Sequence, residues 1–140
     1  MTGIRRKARI LALQALYEND CSSHDADHIV ARYIKEKSLP EEVFQFTREL
    51  TRGVLQHKQE IDEIIKRFAP LFPLTQIAVI DRNILRIAIY ESVFDNKVPV
   101  KATINEAVEL AKSYGSDTSS KFINGVLGSV IADYAITESG

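Results

Sequence analysis

The chain has 140 residues, 45% hydrophobic and 26% charged, an ordinary globular balance with enough apolar material for one sizeable core. Eighteen basic against nineteen acidic residues give a net charge of −1, so bulk charge cannot draw this chain to nucleic acid and any such affinity must come from local clustering. No apolar run approaches the roughly 20 residues that cross a bilayer; a lone cysteine, Cys21, excludes an internal disulfide, and the charged start has no apolar signal core, which together read as a cytoplasmic protein.

Few prolines and glycines, and apolar residues recurring at helical spacing, predict an all-α fold. The first helix is expected over about residues 2–19, where Ile4, Ala8, Leu11, Ala12 and Ala15 share one stripe whose alanines permit close packing. Polar residues 20–27 form a connection, and Ile29, Val30, Tyr33 and Ile34 mark a second short helix ending near Ser38. A third helix begins at Pro40, with Glu41 and Glu42 at its positive end, and carries Val43, Phe46, Leu50, Val54 and Leu55 to about His57. Ile61, Ile64, Ile65 and Phe68 define a fourth, stopped by the segment from Pro70 to Pro73. That segment is the expected internal boundary of a single 1–140 domain, separating residues 1–70 from 71–140.

Between Thr75 and Asp95, Ile77, Ile80, Ile84, Leu85, Ile87, Ala88 and Ile89 cover more than one face, which predicts a central, largely buried helix. Asp81, Arg82 and Arg86 interrupt it; pairing of Asp81 with Arg82, or of Arg82 with the partners of Arg86, is the expected structural explanation, at the edge of an interface. Beyond Pro99, Thr103 is expected to cap a helix in a capping box with Glu106, and Gly115 to end it. The last helix starts near Thr118 or Ser119, presents Ile123, Val126, Leu127, Val130 and Tyr134 on one face, and leaves a short polar tail after Ala135.

Residues able to carry chemistry gather at two places. Arg5, Arg6, Lys7 and Arg9 fall within a first stretch of 17 residues that has no acidic side chain. On a helix, Arg6, Arg9, Leu13 and Tyr17 form one arc, joining guanidinium donors for phosphates to a ring able to stack on a base. A solvated face with a rim tyrosine fits that pattern equally well. Phe122 lies about 120° off the last helix's apolar stripe, beside Lys121 and one turn beyond Thr118. Its partner is either another helix of the core or an unpaired base, with Lys121 on the phosphate and Tyr114 as a second platform. Cys21, His24 and His28 have a spacing compatible with metal, but the segment reads as exposed surface without a convincing fourth ligand. No GxxxxGK loop, GxSxG elbow or histidine-activated nucleophile is evident, so no enzyme and no cofactor are expected.

Four segments, in order and spacing, resemble the NusB family: RRKARILALQALY at 5–17, DRNILRIAIYE at 81–91, INEAVELAKSYG at 104–115 and KFINGVL at 121–127. The resemblance implies about seven helices in two small bundles. It also implies pairing with the ribosomal protein NusE and binding of single-stranded boxA RNA in nascent ribosomal RNA transcripts, making the RNA polymerase elongation complex resist termination. Carried over by position, it assigns Arg5, Arg6, Lys7, Arg9, Lys121 and Phe122 to RNA, and Tyr17 and Asp81 to the NusE side. Tyr114 and Thr118 join the RNA group by their placement, although Thr118 stands where some relatives have aspartate. Phe72 and Gln76 stand where many have tryptophan and arginine. Two rivals share these features: the RNA-binding accessory domain of a ribosomal RNA cytosine methyltransferase, whose catalytic domain is not expected here, and a helical protein-interaction module or homodimer that hides its basic face.

Overall fold

Small residues let the first helices approach closely. In a computed structural model describing the backbone of residues 2–139 and the side chains of residues 3–134, α1 (Thr2–Cys21) buries Ala8, Leu11, Ala12, Ala15 and Leu16. It packs on α2 (Ala26–Lys37) and α3 (Glu41–Gln56), which also pack on each other. Ala15, Ile29 and Val30 form a buried cluster with Tyr33, Ile34 and Phe44 against it. Local chemistry sets the ends of these helices. Asp25 caps α2 by accepting from the His28 amide, and Ser38 closes it in the left-handed region at φ 50°. The Pro40 carbonyl then accepts from the amides of Val43 and Phe44.

At the far end of α1, Glu18 ties two helices together. Its Oε1 accepts from Arg32 at 2.5 Å and from the Tyr33 hydroxyl at 3.1 Å, and its Oε2 lies 2.9 Å from His24 Nδ1. The hydrogen bonds from Arg32 and then His24 hold the Glu18 carboxyl at about 2, below its ordinary 4.5. Because the folded value is the lower one, the associated stability is complete above about pH 4.5 and disappears as pH falls toward 2. Glu18→Gln is therefore expected to lower the melting temperature modestly at neutral pH and to converge with the parent near pH 2. Melting curves recorded from pH 2 to 7 test this; parallel profiles would remove Glu18 from the acid limb.

The chain divides into two compact units, Met1–Gln56 and His57–Gly140. This boundary lies earlier than the proline segment suggested, because α4 (Lys58–Phe68) buries Ile61, Ile64 and Ile65 and packs on α5 (Val79–Ile89) and α7 (Ser119–Ser139). Prolines stop a helix without deciding which neighbours it packs against. In the second unit α5 contacts α4, α6 (Val100–Tyr114) and α7, and every residue from Ile84 to Ile89 is buried.

The predicted 75–95 helix is broken at both ends. Leu74–Gln76 is a 3-10 turn and Ile77 is extended, so the helix proper starts later. After Ile89 the turns widen to a π-helix, Tyr90–Asp95, closed by Asn96 at φ 56° with its amide bonded to the Glu91 carbonyl at 3.0 Å. The expected pairing of Asp81 with Arg82 gives way to a different pair. Arg86, with its side chain 5% exposed, donates from Nε and Nη2 to both oxygens of Asp62 at 2.8 and 3.1 Å, and from Nη1 to Asn83 Oδ1 at 3.1 Å. Arg82 Nη1 donates to the Leu74 carbonyl at 3.2 Å.

Thr103 is not a cap. α6 starts at Val100, where Pro99 needs no amide partner, and Thr103 donates its amide and hydroxyl back to the Pro99 carbonyl at 3.1 and 3.4 Å. At the other end Gly115 is demanded by close approach: a Cβ there would lie 2.5 Å from Ser119 Oγ and 2.8 Å from the Ala111 carbonyl. Ser119 is buried, and its Oγ accepts from the Ser116 amide at 2.8 Å, which fixes the corner between α6 and α7. α7 continues to Ser139, so the expected polar tail is helical in backbone; the side chains from residue 135 onward lie outside those described.

Candidate nucleic-acid interface

In the first unit, the cationic start of α1 separates into three environments. Arg6 and Lys7 are exposed. Arg5 is half-buried, its guanidinium carbon 4.4 Å from the centre of the Phe46 ring. Arg9 is 4% exposed, so it belongs to the interior of the folded chain and not to the surface arc expected from helical winding. The arc placed Arg9 beside Tyr17, which is 42% exposed near the other end of the helix. No acidic residue occupies the first turn of α1, so the cations near its start face the positive end of the dipole, an arrangement that a bound polyanion relieves.

In the second unit, α7 delivers Lys121 to solvent and leaves Phe122 half-buried. The Phe122 ring meets Phe72 edge to face, with centroids 5.4 Å apart and planes at 78°. Phe72 is itself 51% exposed and Leu71 86%. Together with Phe68, Ala69, Pro70, Gly125 and Val126 they line an open apolar groove of about 310 Å³, with Lys121 as its cation. Tyr114, at the end of α6, is exposed, as is Thr118 ahead of α7. Asp81, in the first turn of α5, is 8% exposed, and its Oδ1 is shielded and accepts no hydrogen bond.

In the sequence Phe72 stands out only as a departure from its relatives, and the groove does not stand out. The signal was present: Leu71 and Phe72 lie between Pro70 and Pro73, where no helix can turn two neighbouring apolar side chains inward. His24 is engaged by Glu18, and His28 lies 3.9 Å from an Asp25 oxygen. Among the described residues, no three His, Cys, Asp or Glu side chains gather as a metal site.

The family model described as the NusB family matches residues 6–132. The chain belongs to the NusB family. Transcription antitermination protein NusB of Dehalococcoides mccartyi (strain CBDB1) is 52% identical over 130 residues, covering 93% of this chain and 91% of that protein. The structure of T. maritima NusB superposes with a TM-score of 0.84 at 32% identity, covering 91% of this chain and 90% of the other. Antitermination factors NusB and NusE have been solved in complex with dsRNA; that structure matches with a TM-score of 0.87 at 25% identity, covering 96% of this chain and 100% of the matched one. By family, then, this is a NusB antitermination factor and not an enzyme. Arg5 lies just before the matched segment, whereas Arg6, Asp81 and Phe122 lie within it. Among the described residues, no helix is long and apolar enough to cross a membrane.

Proposed function

We propose that this chain pairs with the ribosomal protein NusE and that the pair binds boxA RNA in nascent ribosomal RNA transcripts, so that the RNA polymerase elongation complex reads through terminators. The observation that carries the RNA part is the junction of Lys121 with the perpendicular Phe72 and Phe122 rings. A cation beside one exposed and one half-buried aromatic ring suits a strand whose phosphates and unpaired bases are both within reach. Arg6 and Lys7 add a second phosphate-binding stretch. The solved NusB–NusE complex contains dsRNA; the single-stranded assignment rests on the rings, which can stack only on bases that have left a duplex.

The cations are few, so the electrostatic part is modest. Three phosphate contacts to a single strand give a salt slope of about −2. A second protein surface is then needed for useful affinity, which is the physical case for NusE. Tyr17 and Asp81 support it separately: one is an exposed ring, the other a carboxyl with an unused acceptor.

Fluorescence anisotropy of labelled boxA RNA, with and without NusE, against scrambled and duplex RNA, tests the proposal. Partner-enhanced preference for single-stranded boxA is expected. Arg6→Glu and Phe122→Asp should each weaken it by roughly tenfold or more, with unchanged circular dichroism. Equal, weak binding of all three RNAs regardless of NusE would overturn the proposal and favour a protein-interaction module or homodimer.

A further inference from the structure

Four arginines lie over aromatic rings among the described residues: Arg5 on Phe46, Arg32 on Tyr33, Arg48 on Phe44 and Arg67 on Phe68. Three of them also hold an acceptor. Arg32 donates to Glu18, Arg48 donates to Gln45 Oε1 at 2.6 Å, and Arg67 lies 3.9 Å from Asp133. Arg5 differs, because its described contact is with the Phe46 ring at 4.4 Å. A guanidinium whose carbon rests over a ring spends none of its N–H donors on that contact, so they can take both oxygens of a phosphate.

We propose that Phe46 is a positioning residue for RNA: its ring, presented by α3, holds the Arg5 guanidinium in the orientation in which it receives a phosphate of the bound strand. The inference rests on the RNA-binding reading above. Three features carry it. α1 packs on α3, so the ring has a rigid support. Arg5 lies at the cationic start of α1, beside exposed Arg6 and Lys7, where an incoming polyanion meets it. Finally, cation–π contact replaces the carboxylate that would normally hold an arginine, so orientation is gained without neutralising the charge. An acidic partner would orient Arg5 equally well and cancel it as an anion site. A lysine at position 5 would keep the charge but lose the planar fork.

Prepaying the ordering of one long side chain corresponds to a roughly three- to tenfold gain in affinity. The test is a double-mutant cycle on full-length protein with NusE and labelled boxA RNA, comparing the parent with Phe46→Leu, Phe46→Tyr, Arg5→Ala and the Phe46→Leu, Arg5→Ala double variant. Phe46→Leu is expected to weaken binding about three- to tenfold, Phe46→Tyr to retain it, and Phe46→Leu to add nothing once Arg5 is alanine. The salt slope should fall by roughly one in Arg5→Ala. A merely structural role for Phe46 predicts the same loss with and without Arg5, which would overturn the inference. So would full affinity in Arg5→Ala; if Arg6→Glu still weakens binding there, the RNA-binding reading survives without Phe46. Melting temperatures of all variants separate lost packing from lost positioning, and if Phe46→Leu unfolds, weakened binding by a folded Phe46→Tyr decides against the inference.

Discussion

Asp62→Ala is expected to destabilise the second unit by about 3–5 kcal/mol, because it takes from the buried Arg86 guanidinium the carboxylate that both its Nε and Nη2 bond. Arg86 is held by both oxygens of Asp62, and the two side chains are only 5% and 14% exposed. Removing the carboxylate leaves two charge-assisted bonds unmade at a side chain that is itself buried. Thermal unfolding should shift down by on the order of 10–20 °C. The double variant Asp62→Leu, Arg86→Met should recover most of that loss, since an apolar pair of similar volume avoids desolvating two charges. A single-variant loss below about 1 kcal/mol would mean that water reaches Arg86 readily. The pair also bears on function. α5 packs on α7, which carries Lys121 and Phe122, so Asp62→Ala should retain RNA affinity well below its melting temperature and lose it steeply on warming.

What the sequence made legible follows from which forces are periodic. The alanine stripe of α1 and the isoleucines of α4 and α5 repeat at helical spacing and end up buried as their pattern requires. Ends governed by local rules were partly legible: Ser38 and Gly115 do close helices, the second through lack of room and not through a left-handed backbone. Thr103 illustrates the limit. It has the sequence of a capping box, but Pro99 starts the helix earlier and turns Thr103 into a buried first-turn residue. The π-helical ending after Ile89 has no periodic signature, since it only widens a pattern that already reads as helix.

At the candidate interface, charge identity was legible and charge environment was not. Winding residues 5–9 on a helix shows where the cations point, but it cannot show that Arg9 sinks to 4% exposure while Arg5 finds a ring on α3. Those outcomes depend on long-range packing, which a single helix's periodicity does not contain. Phe122 was conspicuous because it stood off its stripe; Phe72 was not, because the proline segment has no stripe from which to depart.

Asp81→Ala is expected to separate stability from partner binding. Three effects compete in the free chain. Losing a negative charge from the first turn of α5 costs about 0.3–1 kcal/mol against the helix dipole. Removing a shielded carboxyl oxygen that accepts no hydrogen bond returns about 1–3 kcal/mol, and alanine's higher helix propensity adds a few tenths. The balance favours the variant slightly, so its melting temperature should stay level or rise by a few degrees. Binding to NusE should move the other way. If the unused Oδ1 is reserved for a donor from the partner, its loss removes a charged hydrogen bond and lowers affinity by roughly 10- to 100-fold. Titration calorimetry of NusE beside melting curves of the free variant reads both quantities. A fall in melting temperature with unchanged NusE affinity would make Asp81 a helix-start residue and nothing more. A level melting temperature with weakened affinity would mean that the free chain carries an unsatisfied acceptor at a cost in its own stability, which a gain on binding its partner explains and internal packing does not.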